Sequence, residues 1–512
     1  MIVKLIDLAA NIAKSDDKAL LTWLLPKFTQ ALAPLSPTDQ RVAALALLER
    51  LEFRRSSGLE RLESLFENLA LPLMLWALEN DHYSLGLILE VLVYEEYVKR
   101  VENEAHFQAC ISRWTPAMVA AGRRCRERQP ALPPRPPRTS KRVIGVYLHN
   151  SSLLAHVQML LSMLNGYASL ENPPYAFHIY VGKRGVPAHE APFRELGLPM
   201  TFLNEREDQD QGLFGRCLTM RDAMNEDGVD ILLWISRTDQ AGFAFALGMA
   251  PKQVFWAMKY HGFVPPDCDL LLSSMVPETR RDVLGHTWRG VFYSKQDWFK
   301  PDRSVAATKL RAGYAGYDAV LATLGREEKI LQPAFLATVV AILRAHPGAC
   351  YLWTGRTEHP AVKAALEAGG VGARCFHIGW VDTALFAQVI DIFLDSFPFG
   401  CGYTLMEAMA AGKAVVFMQP ADPDHLINLS SMVAPLATSA TPEGELFREI
   451  MGTGGLPMAR SAAEYTAEAG RLIGDAGARA LLGDRLRRFV EEFAGDNARS
   501  ARQFVQHLEA LS

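Results

Sequence analysis

The chain has no CxxC pair, no uninterrupted apolar run of membrane length and no excess of basic charge, and each absence closes a class of function. Its seven cysteines, Cys110, Cys125, Cys217, Cys268, Cys350, Cys375 and Cys401, are scattered and odd in number. That pattern fits a reducing compartment and argues against a structural zinc site or a disulfide framework. Without a span of some 18 apolar residues no transmembrane helix is expected, and the opening "MIVKLIDLAANIAKSDDKALLTWLL" lacks the layout of a signal peptide. A formal net charge of -4 excludes the basic face of a nucleic-acid binder, so no nucleic-acid partner is expected. These readings place the protein in the cytoplasm.

What is present is an ordinary globular balance, with 49% hydrophobic and 21% charged residues over 512 positions, too many for a single core. Residues 1–128 carry helical periodicity, as in "RVAALALLERLEF" and "GLILEVLVYEEYVKRVENEA", and about six helices are expected. Ser36, Pro37 and Asp39 read as an N-cap, a first-turn proline and a carboxylate at the positive end of the helix dipole. The stretch 129–142, "QPALPPRPPRTSKR", is too rich in proline for helix and is expected to be an extended linker.

Beyond it, short apolar runs alternate with helix-length segments in two series. The first includes "RVIGVYL", "AFHIYV", "PMTFL", "VDILLWIS", "KQVFWA" and "LLLSS"; the second includes "AVLATL", "CYLWTG", "CFHIGW", "IDIFLD" and "AVVFM". Strands separated by crossover helices imply parallel sheets covered on both faces. The expectation is an α/β protein of two doubly wound Rossmann-like domains, 143–300 and 301–483, preceded by the all-helical domain and followed by a helix over 484–512. The polar segment 294–304 is the expected hinge. Ligands of such sheets bind outside the carboxyl ends of the strands, so a cleft between the two domains is expected.

The second series carries the chemistry. "DSFPFGCGYTLMEAMAAGKAVV", 395–416, follows the strand "IDIFLD" with a glycine-rich corner. Gly402, Tyr403 and Thr404 would open a helix whose free amides suit a phosphate, and Glu407, one turn on, would accept hydrogen bonds from ribose hydroxyls. "LGREEK", 324–329, puts Arg326 and Lys329 at another strand's carboxyl end, where two cations can stabilise a diphosphate leaving group. In "FHIGW", His377, Gly379 and Trp380 would line a base pocket, although a tryptophan there is equally a core residue. In "DPDH", 422–425, the carboxylates read as a solvated turn, and no metal site is expected. Cys401, at the phosphate loop, lacks a partner histidine nearby in sequence and is not expected to act covalently.

Together "GR..K", "hxGW" and "PFG.GYT..EAMAAGKAVV" resemble the donor half of glycosyltransferases with the GT-B fold. Retaining members usually carry two glutamates eight positions apart here; Glu407 matches the second and Phe399 stands at the first, which speaks against retention. In the first series "APKQVFWAMKYHG", 250–262, and "LHNSSLL", 148–154, are similar to segments of O-linked N-acetylglucosamine transferases and HMW1C-like protein N-glycosyltransferases. The resemblance implies a UDP-sugar donor, inversion, no required metal or other cofactor, and a protein or peptide acceptor with asparagine first and serine or threonine next. It assigns the diphosphate to Lys329 and the amides at Tyr403 and Thr404, the ribose to Glu407, and the cleft histidine to His149. As an imidazole at a strand's end, His149 would act as a base or position substrate. Gln253 and His261 would face the acceptor. Two other readings stay open: a glycan, lipid-linked or small-molecule acceptor, and a non-catalytic UDP-binding scaffold.

Overall fold

A computed structural model describes residues 4, 7, 18–50, 63, 65–96, 98, 103–134, 141–205, 212–235, 237–295, 303–421, 424, 426 and 428–511. Residues 135–140 of the expected linker, 296–302 of the expected hinge, and Asp422 and His425 of "DPDH" therefore lie outside the described residues. The chain divides into two compact units, residues 1–157 with 172–272, and 158–171 with 273–510.

The first unit opens with helices α1 (Lys18–Leu32), α2 (Pro37–Arg50), α3 (Leu71–Glu79), α4 (Tyr83–Glu96), α5 (Glu104–Ile111) and α6 (Thr115–Arg128), with a π-helical turn at Phe66–Ala70 ahead of α3. No strand occurs among the described residues before 142, as the periodicity predicts. The start of α2 is the expected one: the Asp39 N–H donates to Ser36 Oγ at 3.2 Å, while the Ser36 hydroxyl donates to the Asp39 carboxylate at 2.8 Å. Then follow β1 (Arg142–Asn150), α7 (Ala155–Ala168), most of which belongs to the second unit, β2 (Tyr175–Lys183), α8 (Ala191–Glu195), β3 (Met200–Phe202), α9 (Gly212–Glu226), β4 (Val229–Ile235), α10 (Ala241–Leu247), β5 (Lys252–Ala257) and β6 (Leu270–Ser273). The strands run in the order β3-β2-β1-β4-β5-β6, with β2, β1, β4 and β5 parallel.

The helices do not stand apart from this sheet as a separate domain, despite the proline-rich connection between them. Helix α6 lies against α10 so closely that a Cβ on Gly122 would come within 2.5 Å of the Phe243 carbonyl oxygen and 2.9 Å of Ala246 Cβ. Only a residue without a side chain allows that approach.

The second unit has the antiparallel pair β7 (Arg280–Val283) and β8 (His286–Gly290), which the strand pattern did not predict because "RRDV" and "HTWRG" lack an apolar run. Next come α11 (Ser304–Ala312), β9 (Ala319–Thr323), α12 (Glu327–Ile330), α13 (Pro333–Ala345), β10 (Ala349–Trp353), α14 (Pro360–Ala368), β11 (Cys375–His377), α15 (Thr383–Val389), β12 (Ile392–Leu394), α16 (Tyr403–Ala410), β13 (Ala414–Met418), α17 (Leu429–Val433), α18 (Pro442–Met451), β14 (Met458–Ala459), α19 (Ala462–Gly474), α20 (Ala476–Ala494) and α21 (Asn497–Glu509). The sheet order is β11-β10-β9-β12-β13-β14, parallel throughout. Every residue of β9, β10 and β12 is buried, as expected of strands covered on both faces. The expected single C-terminal helix is two, since α20 runs through position 483 and the chain turns at Gly495 before Asp496 caps α21 through Ala498 N–H at 2.8 Å.

Both sheets start at a central strand, wind outwards in one direction and return to start again on the other side. The crevice at that reversal, beyond the carboxyl ends of β1 and β4 in one sheet and of β9 and β12 in the other, is where a doubly wound sheet offers backbone amides to a ligand.

Candidate active site

At the reversal of the second sheet the loop after β9 meets the loop after β12. Thr354 joins the first of these to β10, since its hydroxyl donates to the Gly325 carbonyl at 2.7 Å and accepts the Gly325 N–H at 2.8 Å. The Lys329 ammonium donates to the Gly400 carbonyl, and the Thr404 hydroxyl to the Leu324 carbonyl, so both loops are tied at two points. Asn428 holds the corner from the other side, with Oδ1 accepting Gly400 N–H at 2.5 Å and Nδ2 donating to the Pro398 carbonyl at 2.9 Å. Beyond this corner α16 starts at Tyr403, and the first amides of any helix lack partners inside it.

Glu407 lies one turn along α16, is 7% exposed and accepts from the Thr383 hydroxyl at the start of α15. Lys295 Nζ is 3.5 Å from Glu407 Oε1 and 4.8 Å from the centre of the Tyr403 ring. Burial pushes the Glu407 carboxyl above its usual pKa, while Thr383 and Lys295 pull it back. The carboxyl borders a cavity of about 1130 Å³ that Lys295, Arg303, Lys413 and Arg487 also line.

The structure thus ties Lys329 to the turn ahead of Tyr403, and Thr404 to the loop after β9, with Glu407 one helical turn further on. Arg326 is exposed as the residue before α12. His377 lies tilted against Trp353 with ring centres 4.5 Å apart, its Nε2 lies 3.1 Å from the Gly355 carbonyl, and Gly379 takes φ 72° past the strand's end. Trp380 is 66% exposed, which removes the core alternative for it. Sequence reading missed Thr354, Thr383, Asn428, Lys295 and Asp395. The first four are single polar residues with no motif around them. Asp395 had a legible signal, an acid placed directly after an apolar strand at the reversal of the sheet.

The first sheet's reversal is built differently. His149 ends β1, and the register Tyr147 to Trp234 brings Arg237, just past β4, to the same edge. Arg237 forms a two-pronged pair with Asp239, at 2.7 and 2.6 Å, and the Glu95 carboxylate lies 3.5 Å away. His149 Nδ1 meets no hydrogen-bond partner among the described residues, and burial, reinforced by Arg237, pushes the imidazole down to about 4. It is therefore neutral at pH 7, and an imidazole that weakly basic contributes little as a proton acceptor.

The helical segment reaches this edge through two buried carboxyls. Glu90 of α4 accepts the Gln240 N–H at 2.7 Å and the Trp114 indole N–H at 3.2 Å. Glu104 of α5 accepts the N–H groups of His261 and Gly262 at 3.2 and 3.0 Å, and Phe107 stacks on Tyr260 at 4.1 Å. Losing either carboxyl strands buried amides at about 1–3 kcal/mol each.

Two acceptor-side expectations are corrected here. Gln253 is the second residue of β5, at its amino end, and its amide is used up by Met249 N–H, the Phe245 carbonyl and the Asp267 carbonyl, so it shapes a loop. His261 does follow the carboxyl end of β5, but it is fully buried beneath Glu104. His156 is half-buried on α7.

No family model and no curated protein matches the chain. Among solved structures it is similar to an O-GlcNAc transferase variant from Thermobaculum terrenum, with TM-score 0.54 and 18% identity over 100% of this chain and 98% of that one. It is also similar to Anabaena HepE in complex with UDP, with TM-score 0.52 and 12% identity over 72% of this chain and 100% of the other. A glycosyltransferase from Rickettsia africae gives TM-score 0.51 and 12% identity over 73% and 99%. At these identities the likeness is one of fold. The chain has the α/β architecture of two Rossmann-like bodies with helices ahead, as the GT-B resemblance implied. No helix among the described residues is long and apolar enough to cross a membrane.

Proposed function

We propose that the protein is a UDP-sugar-dependent glycosyltransferase whose donor binds at the reversal of the second sheet. One observation carries the reading: Lys329 reaches the Gly400 carbonyl just ahead of α16, and the buried carboxyl of Glu407 lies one turn along that helix, a spacing that suits a diphosphate followed by a ribose. The amides at Tyr403 and Thr404 and the Lys329 ammonium take the charge that develops on the departing diphosphate, and Arg326 adds a second cation. Glu407 turns from Thr383 and Lys295 to the ribose hydroxyls. His377, Gly379 and Trp380 flank the base. In this reading the protein groups carry the leaving-group charge and no metal ion or other cofactor is required. A fold shared with a structure solved in complex with UDP is consistent with the donor class.

The acceptor is a protein or peptide side chain, asparagine first and serine or threonine next, and the sugar is a hexose transferred with inversion in the cytoplasm. The helical segment favours a polypeptide over a glycan or small molecule, because Glu90 and Glu104 fix it at the carboxyl edge of the first sheet, where an acceptor would enter. His149, neutral and with Nδ1 unengaged among the described residues, positions the acceptor by hydrogen bonding.

The test is incubation with UDP- and GDP-sugars, with and without EDTA, and a peptide library containing Asn-x-Ser/Thr and Ser/Thr-rich members, read by mass. A one-hexose shift on an asparagine peptide, insensitive to EDTA, is the expected result. Donor turnover with no peptide modified would move the acceptor to a glycan or small molecule. UDP binding with no turnover of any donor would favour a scaffold.

A further inference from the structure

Asp395 is a buried carboxyl bonded to the loop ahead of α16, and this inference rests on the donor reading above. It directly follows β12 and is 3% exposed. Its Oδ1 accepts the Cys401 N–H at 2.6 Å, and a Cβ built on Gly400 would stand 2.8 Å from Oδ2, so the carboxyl lies flat against the two peptides that lead into α16. The charged and titratable groups that face it are Lys329 from α12, the Cys401 thiol on the loop itself, Tyr465 from α19 and Tyr293 ahead of the sheet. The Tyr465 hydroxyl donates to the Asp395 carbonyl at 2.9 Å. Burial raises the thiol and both phenols above their ordinary values, which leaves them neutral. Arg460 borders the same cavity as the carboxyl, but Lys329 is the cation that pulls its pKa down, and it is also the cation that a diphosphate would claim.

We propose that Asp395 is a positioning residue that takes up one proton from solvent as a nucleotide diphosphate settles on the first turn of α16, and that the neutral carboxyl then holds the loop through Cys401 N–H. Two anions on opposite sides of one strand of backbone, sharing a single ammonium, cannot both keep their charge, and the buried one accepts the proton more readily. Burial already pushes this carboxyl up to about 7, with Cys401 N–H and Lys329 opposing, so the added phosphate charge carries it across neutrality. A cavity of about 270 Å³, bordered by Asp395, Ser396, Phe397, Gln419, Asn428 and Arg460, adjoins the carboxyl.

The experiment is calorimetric titration of the full chain with UDP in buffers of different ionisation enthalpy, on wild type and Asp395→Asn. The variant keeps an oxygen for Cys401 N–H and is neutral at every pH, and the difference between the two proteins cancels the ionisation of UDP itself. At pH 8, where a carboxyl near 7 is mostly ionised in the free protein, wild type should take up nearly one proton more than the variant, and its affinity should fall by up to about tenfold per pH unit above neutrality while that of the variant stays flat. Equal uptake by both proteins would overturn the role of Asp395 and leave the donor reading standing. Absence of UDP binding to wild type would overturn the donor reading, and the proposal with it. Should Asp395→Asn not fold, the infrared difference spectrum of wild type on adding UDP decides: a gained protonated-carboxyl band supports the proposal, and no such band contradicts it.

Discussion

The two sheets share one winding order and differ in what stands at the reversal. In the second sheet that place is backbone: glycines 400 and 402, the start of α16, and Lys329 reaching across to a carbonyl. In the first it is filled with side chains, His149 beside the Arg237–Asp239 pair, locked from outside by Glu90 and Glu95 of α4. A glycine-lined edge exposes amides and suits a multiply charged, invariant group such as a diphosphate. An edge crowded by a neutral imidazole and a paired guanidinium suits a neutral acceptor group recognised by shape. The topology supplies two equivalent crevices, local sequence furnishes them differently, and in the proposed reading that divides donor from acceptor.

Substitutions should separate the two edges, beginning with the largest effect. Lys329→Ala should cut turnover by roughly a hundredfold or more, the scale of losing one charge-stabilising donor, in a steady-state assay with saturating acceptor. Unchanged turnover would take Lys329 out of the site. Glu407→Ala should weaken UDP by about tenfold, as expected for one hydrogen bond to a charged group, measured by calorimetry. Gly400→Ala drives a Cβ to 2.8 Å from Asp395 Oδ2 and 3.0 Å from Asn428 Oδ1. It should weaken UDP by a factor of several, with the melting temperature of the chain little changed. On the other edge, His149→Ala should raise the acceptor KM a few-fold and leave the UDP Kd alone; a loss confined to kcat would restore a proton-transfer role.

The smallest effect concerns pH. Burial, with Asp239 nearby, pushes Glu90 up to about 8 from an ordinary 4.5. The folded state therefore holds a proton that the unfolded state has released across that window. The resulting stability is full below about 4.5 and is lost as pH rises through about 8. Thermal melts should show a falling midpoint over that range, and Glu90→Gln should flatten the slope while keeping an oxygen for Gln240 N–H.

The two strand series and the glycine corner were legible in the sequence because apolar runs and φ-permissive residues announce themselves locally. So was the cap of α2, where Ser36, Pro37 and Asp39 stand together. The pair β7 and β8 was not, since its strands are mostly polar and are defined by each other through the Leu284–Gly285 turn. Nor was the docking of the helices, which depends on Gly122 lying opposite Phe243, more than a hundred residues away. Lys329, Glu407 and Tyr403 were nominated because they sit in motifs. Thr383, Asn428 and Lys295 act on those residues from distant positions, and only folding brings them there. Gln253 misled because a glutamine beside a strand looks available, whereas its amide is satisfied by its own loop.

The central claim is that a nucleotide diphosphate binds at the reversal of the second sheet. Hydrogen–deuterium exchange of the full chain with and without UDP tests it most directly. Protection confined to the peptides covering 325–329 and 400–407, with the segments around His149 and Arg237 unchanged, is the predicted result. Protection at the first sheet's edge, with 400–407 exchanging as before, would contradict it.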